Sequence, residues 1–458
     1  MLTNFSNQSH WCVGILLVGV FCVFVSIPVF GEDWRQWRGA DRLGVWEEDG
    51  IIDSFPEDGL KVTWRTPLRS GYSGPAVADG RIFVLDWMED PQSRTMDGTE
   101  RAVAIDEASG EVLWTHEWQT TYRMLMASYA VGPRATPTVD GGRVYVVGAT
   151  GRLFCLDVES GNVFWSKDFI ADYDTSVPTW GIASAPLIYG DKLITVVGGE
   201  PDSLIVAFDK NTGEELWHAV SVVGEMGYGQ PVIYEAGGVD QLIVWHAAAL
   251  VSLDPETGEV YWEEPWEVGS GMSVATPVRS GDYLMVTQFY NGSLMMRLNQ
   301  DRPAATMLWK GGSRSEMPDQ TEGLHSLITT PLIIGDYVYG VGSYGELRGL
   351  DARTGERLWE SPQMTTQARW GTAFLVRHDD RYFVNNDDGD LIIAQFTPEG
   401  YVELDRTKLI EADASAGVGS ARRWDRAVNW THPAYANRHV VHRNHSEIIR
   451  ASLDASDY

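Results

Sequence analysis

Five times along this chain an apolar run ends in Asp, turns through Ser-Gly or Thr-Gly, and closes four residues later on Trp. The copies are AIDEASGEVLW (104–114), CLDVESGNVFW (155–165), AFDKNTGEELW (207–217), SLDPETGEVYW (252–262) and GLDARTGERLW (349–359). A degraded copy, RLNQDRPAATMLW, ends at Trp309, and Trp64 in KVTWRT stands 50 residues before Trp114. The constant positions are Asp106, Gly110 and Trp114; Asp157, Gly161 and Trp165; Asp209, Gly213 and Trp217; Asp254, Gly258 and Trp262; and Asp351, Gly355 and Trp359. Self-similarity at such a period means one supersecondary unit stacked on copies of itself.

The physics of the unit is local. Asp ends a strand and its carboxylate accepts a backbone N–H two residues on, an Asx turn that Ser or Thr supports. Gly takes the positive φ of a bulged hairpin, and the next strand presents Trp to a neighbouring unit. Two further strands precede each copy, as in TPTVDGGRVYVVGATGRLFCLD from Thr136. Four strands in about 45–50 residues, repeated, make a propeller blade.

Each unit opens on a short inner strand: GYSGPAV (from Gly71), RATPTV (Arg134), ASAPLI (Ala183), GQPVIY (Gly229), ATPVRS (Ala275), TTPLII (Thr329), WGTAFLV (Trp370) and THPAYA (Thr431). The last unit stops one strand short, and the strand around Trp64 can complete it, leaving the ring without an open seam. The sequence therefore predicts an all-β, eight-bladed propeller closed by an N-terminal strand. Seven blades is the competing count, because the units after Trp359 are degenerate. The expected division is 1–31 signal peptide or anchor, 32–59 extension and 60–458 propeller.

Ala-x-Asp-x-x-Thr-Gly-x-x-x-Trp resembles the tryptophan-docking repeat of the pyrroloquinoline-quinone (PQQ) dehydrogenases and of the wider PQQ-like propeller family. That family includes exported, non-enzymatic outer-membrane assembly factors. The resemblance covers nearly all of the chain after the N-terminal segment, and it implies that the repeat staples blades together instead of binding a ligand. Trp34, Trp37, Arg38 and Gly39 in EDWRQWRGADRLGVW resemble a leader that packs across one face of the ring in exported members.

Composition narrows the function classes. With 35 basic and 64 acidic residues the net charge is −29. That opposes nucleic-acid binding, and it opposes polybasic contact with anionic lipid. Residues 11–30 are almost wholly apolar, and no charged side chain precedes Glu32. The segment reads as an export signal cut near Val29-Phe30-Gly31, with an uncleaved anchor as the alternative. Phe21 before Cys22 does not fit a lipoprotein signal. Cys12 and Cys22 fall in this segment, so a mature chain retains Cys155 alone, in an apolar strand where a small buried hydrophobe is expected.

Several motifs dissolve on inspection. Gly340–Gly345 (GVGSYG) fits a dinucleotide loop in spacing but runs into another strand, so it reads as a hairpin. His439, His442 and His445 fall on a strand and its turn, where packing is favoured over a metal. Asn385–Leu391 (NNDDGDL) is too short for a calcium loop and reads as a solvated hairpin tip.

The connectors before the inner strands are the candidate binding region at the channel mouth. They carry Tyr72, Arg134, Trp180, Tyr228, His325, Arg369, Trp370, Arg422, Arg423 and Trp430, and the connectors 115–133 and 410–429 are longer than a blade requires. An aromatic and cationic rim suits an anionic ligand or a partner's carboxylates, with inter-blade packing as the competing role. The resemblance to dehydrogenases implies PQQ beside Ca²⁺, an Asp base and a vicinal cysteine pair; that pair is missing here, as are CxxCH, HExxH and GxSxG. No catalytic, cofactor or metal residue is therefore assigned. The expected function is an exported, periplasmic or envelope scaffold with a protein partner and no cofactor. The alternatives are a PQQ- and Ca-dependent dehydrogenase and a receptor for a small anionic or sugar-like ligand.

Overall fold

The computed structural model describes residues 1, 31–126, 131–415 and 426–458. Gly31–Tyr458 forms one compact unit, within which the extension and the propeller are not separated. Eight four-stranded antiparallel sheets form an eight-bladed propeller. Blade 1 runs from Ala76 to Thr121, blade 2 from Thr138 to Asp168, blade 3 from Leu187 to Ala219 and blade 4 from Val232 to Pro265. Blade 5 runs from Val278 to Lys310, blade 6 from Leu332 to Ser361 and blade 7 from Ala373 to Lys408.

Blade 8 takes Ala434–Ala436, His439–Arg443 and Glu447–Ser452 from the end of the chain and Val62–Pro67 from its start. Arg65 lies opposite Ile449 and Pro67 opposite Glu447. The eight-blade count and the shared closing blade follow the expectation. Middle strands are apolar along their length because both faces meet neighbouring blades: Leu193 to Gly199 is continuously buried. Outermost strands alternate, as in Val112–Thr121, because one face meets water.

The repeat makes the joints. Asp157 Oδ1 accepts the N–H of Glu159 (3.1 Å) and of Ser160 (2.8 Å), and Gly161 N donates to Asp157 O (2.9 Å). Gly161 has φ +70°, and a Cβ there would stand 2.6 Å from the Trp114 ring of the previous blade. Glycine is needed twice, for its backbone and as a seat for the indole. Trp114 Nε1 then donates to Val158 O at 3.0 Å. Trp64 reaches Glu107 O (2.8 Å), Trp165 Lys210 O (3.1 Å), Trp309 Ala352 O (2.8 Å) and Trp359 Thr397 O (3.1 Å) in the same way.

Two of the tryptophan joints depart from this pattern. Trp217 sits over Gly258, but its Nε1 finds no acceptor among the described residues. Trp262 faces a turn in blade 5 that has no glycine seat, and it donates instead to Gln241 Oε1 of its own blade (2.9 Å). In that turn Asn299 does the work of Asp, accepting Asp301 N (2.8 Å) and Arg302 N (3.2 Å).

The extension crosses one end of the channel. Trp34 exchanges two backbone bonds with Val77 of blade 1, and Arg35 O accepts Val139 N of blade 2. Arg42 donates to Ala185 O and Pro186 O on the approach to blade 3 and to Pro231 O before blade 4. Trp37 Nε1 reaches Thr276 Oγ1 before blade 5 (3.0 Å), Trp46 N reaches Arg377 O of blade 7 (2.8 Å), and Ile52 N reaches Leu453 O beyond blade 8 (3.0 Å). Burial brings Arg38 down to about 10 and Arg42 to about 9, so both stay cationic at neutral pH, satisfied by carbonyls.

Two local expectations are corrected. Asn385, Asn386 and Asp387 are fully buried instead of forming a solvated tip. Tyr435 Oη donates to Asn385 Oδ1 (2.6 Å), and Arg426 pairs with Asp387, so the polar atoms are consumed between blades. The connector at 115–133 is shorter than expected, because the outermost strand of blade 1 continues to Thr121. Cys155 is buried, Gly340–Gly345 forms a hairpin between strands Tyr337–Val341 and Leu347–Asp351, and His439 and His442 lie on the strand His439–Arg443.

Candidate functional site

Each inner strand is entered from a loop that turns in toward the channel, and one position in that loop recurs. Four residues before the strand stand Tyr72, Arg134, Ala183, Tyr228, Val274, Ile328 and Trp430; Trp370 stands three before. Every blade thus contributes to one cavity at the mouth of the channel. Gln230, Met272, Leu327, Phe374, His432 and Trp180 complete its wall, and Trp37 reaches it from the extension. Its volume is about 180 Å³.

The cavity is apolar and aromatic, with a single cation. Arg134 Nε donates to Trp180 O at 2.8 Å, and the guanidinium carbon stands 5.3 Å from the centre of the Tyr72 ring. No carboxylate pairs with Arg134 among the described residues. Burial lowers its pKa, partly offset by the Tyr72, Tyr122 and Tyr228 hydroxyls. Burial also pushes Tyr72 up to about 12. Tyr228 is raised by burial and by Glu225, to which its hydroxyl donates at 2.9 Å while accepting Trp180 N at 3.3 Å.

His432 packs against Trp37 at 4.6 Å and Phe374 at 5.1 Å between ring centres, and burial drops its pKa to about 3. Its Nδ1 donates to Pro433 O (2.7 Å), leaving Nε2 as a bare acceptor without a partner among the described residues. Trp370 adopts φ +69°. A left-handed conformation in so bulky a residue costs about 1–3 kcal/mol and persists where the surroundings enforce it. Here Trp370 N donates to Ser343 O (2.6 Å) and the Arg369 guanidinium stacks on the indole at 4.2 Å.

Of the candidate residues, Tyr72, Arg134, Trp180, Tyr228, Trp370 and Trp430 come together around this cavity. Arg369 lies in an adjoining groove with Glu225, Glu267 and Tyr290, paired to Glu316 at 2.6 Å. His325 is not brought to the cavity. It is buried, its Nδ1 donates to Phe289 O (3.0 Å) and its ring covers Gly292, so it packs. Arg422 and Arg423 lie outside the described residues. Sequence reasoning missed Ala183, Val274 and Ile328, for which the recurring offset from each inner strand was the available signal, and also His432 and Trp37, the latter in the segment that resembles a leader across one face of the ring.

The lining was compared with what Ca²⁺ and PQQ require. Ca²⁺ takes six to eight oxygen ligands, carboxylates foremost. The cavity lining contains no Asp, Glu or Cys, and no group of three or more potential metal ligands occurs among the described residues. The residues present do not fit that pair.

A family model described as outer membrane protein assembly factor BamB matches residues 98–361 and 202–454. The BamB of Shewanella oneidensis is 23% identical over 380 residues, covering 79% of this chain and 83% of that protein. A quinoprotein ethanol dehydrogenase of Pseudomonas aeruginosa is 29% identical over 150 residues, 30% of this chain, and the match spans 24% of the dehydrogenase. Among solved structures, BamB from Moraxella catarrhalis is similar with a TM-score of 0.53 at 15% identity, covering 86% of this chain and 99% of that one. A europium-containing methanol dehydrogenase is similar with a TM-score of 0.58 at 15% identity, covering 84% and 86%. At such identities the structures establish the shared propeller fold.

Proposed function

The chain belongs to the family described as outer membrane protein assembly factor BamB, and from that premise we propose that it is a non-catalytic scaffold of the cell envelope. It holds a protein partner at the open mouth of the ring and works without a bound cofactor. The observation that carries this reading is the cavity lining: one cation, aromatic walls and no carboxylate or thiol. A hydride-abstracting alcohol dehydrogenase needs a base beside its substrate, and such a base must lie within hydrogen-bond reach. The lining offers none. His432, the only imidazole there, is held neutral and its Nδ1 is committed to Pro433 O.

The envelope location is supported by the printed role of the BamB relatives. The dehydrogenase reading rests on matches to about a quarter of those enzymes.

A photo-crosslinking side chain tests the scaffold reading at two sites. Val223 is 64% exposed beside the mouth, and Leu113 is 46% exposed on the outer perimeter. In cells, a discrete protein adduct is expected from position 223 and none from position 113. An adduct from the perimeter alone, or from neither site, contradicts it. Calorimetric titration with PQQ, with and without Ca²⁺, is expected to give no heat; calcium-dependent one-to-one binding would return the chain to the dehydrogenases.

A further inference from the structure

We propose that the mouth cavity is a site for an aromatic monocarboxylate, its ring among the tryptophans and its carboxylate on the Arg134 guanidinium. The inference rests on reading the mouth as a binding site, and it adds the chemistry of what enters.

Three observations converge on it. The first is charge. A guanidinium partly withdrawn from water, as Arg134 is, costs free energy unless an anion answers it. Arg134 has no carboxylate partner among the described residues, and every lining residue besides Arg134 is apolar, aromatic or neutral. Its Nε is committed to Trp180 O and its face to Tyr72. That leaves the two η nitrogens, whose fork geometry matches a carboxylate edge. One cation calls for one anion.

The second is size and wall chemistry. A dry cavity of about 150 Å³ accepts one benzene. The 180 Å³ here is the space of one ring with a short acidic tail. Aromatic walls favour offset or edge-on contact with such a ring.

The third is the set of polar atoms the protein leaves unused. His432 Nε2 and Trp430 Nε1 are buried, belong to residues lining the cavity, and have no protein partner among the described residues. Buried polar groups in native proteins are nearly always answered; the Trp430 N–H is a donor that an anion can use, whereas the His432 acceptor is left to water, because a carboxylate has no proton to give it.

The chemistry has two sources, a free aromatic acid or the free C-terminus of a polypeptide ending in an aromatic residue. The test uses the full chain and reads tryptophan fluorescence and calorimetric heat. Phenylacetate, the neutral isostere phenylacetamide and the cation phenethylamine are titrated in parallel. Phenylacetate is expected to bind one-to-one and at least about tenfold more tightly than the amide, the margin of a charge-assisted bond. Arg134→Gln should erase the acid–amide difference, and Arg134→Lys should restore part of it.

Acid and amide binding equally to the native protein, the amine binding best, or no acid binding at millimolar concentration would each overturn the proposal. The native comparison needs no variant, so a misfolded Arg134→Gln does not rescue it. A tetrapeptide ending in free Phe, set against its C-terminal amide, separates the sources: preference for the free-acid peptide over phenylacetate assigns a chain terminus, and the reverse assigns a small acid. These outcomes are independent of whether position 223 crosslinks a partner, so the two readings can fail separately.

Discussion

Two seams of the ring are built on different principles. Between blades 1 and 2 everything needed lies within one repeat: Asp157 folds the turn, Gly161 offers a flat seat, and Trp114 lies on it and donates to Val158 O. Between blades 7 and 8 the outermost strand of blade 7, Gly400–Lys408, has no tryptophan at all. Trp46 of the extension packs between these two blades from outside the repeat. Its ring lies 5.5 Å from Phe383 of blade 7 and 5.1 Å from Tyr435 of blade 8, and it is fully buried. Its Nε1 donates to Glu48 Oε2 (2.7 Å), which also accepts Arg438 N of blade 8 (2.7 Å). Glu48 O accepts His378 Nε2 of blade 7 at 2.8 Å. One seam is closed by neighbours in sequence, the other by a strap from more than 300 residues away. A degenerate repeat can therefore leave the ring intact when another segment packs into the seam.

The largest effect expected from that comparison is at the strap. Truncating a fully buried aromatic costs about 3–5 kcal/mol, because the cavity left behind adds to the lost transfer energy. Trp46→Ala should lower the urea midpoint more than Trp114→Ala, whose ring is only half-buried on its glycine. Equal losses would mean that the strap merely rests on a seam that closes without it.

A finer contrast lies among the repeat tryptophans themselves. Trp165 and Trp217 are equally buried at 9% exposure, and each covers a glycine of the next blade. Only Trp165 has an acceptor for its N–H. Replacing each by Phe removes the indole N–H and a similar area, so the difference between Trp165→Phe and Trp217→Phe isolates the hydrogen bond. Lys210 O keeps the Tyr145 hydroxyl at 3.0 Å, which limits the loss. Trp165→Phe should be the more destabilising by about 0.5–1 kcal/mol in denaturant titration. Equal losses would assign the joint to packing alone.

The same contrast explains what the sequence made legible. Blade count and closure could be read because Asp, Gly and Trp sit within nine residues of one another and their chemistry is local. Trp46 gave no comparable signal, since its partners Phe383 and Tyr435 are near only after the ring has closed. NNDDGDL misled for that reason: Asn385 and Asp387 look hydrated until Tyr435 and Arg426 arrive from elsewhere in the chain. At the mouth, Tyr72, Arg134 and the tryptophans declared themselves by type. Ala183, Val274 and Ile328 share their offset but have no chemistry that marks them in a sequence. His325 stood in the right connector, yet one loop conformation turned it into the packing around Gly292.

The smallest effect separates the seams by pH. The Ser160 hydroxyl, with the Ser160 and Glu159 N–H groups, holds the Asp157 carboxyl below its ordinary value of 3.8. Ser109 does the same for Asp106, Thr212 and its neighbours for Asp209, and Arg353 with Thr354 for Asp351. A carboxyl whose folded pKa is depressed contributes stability that is complete above the unfolded value and is lost as pH falls through the folded one. The sensitive window therefore lies below about pH 4. These carboxylates are only partly withdrawn from solvent, so each contribution is small and screened. Changing all four to Asn keeps an oxygen acceptor in every turn while removing the titration. The fall in urea midpoint between pH 5 and pH 3 should shrink in that variant and persist undiminished in Trp46→Ala, whose seam does not use an Asp turn. An unchanged fall in the fourfold variant would place the acid sensitivity of the ring outside its repeat.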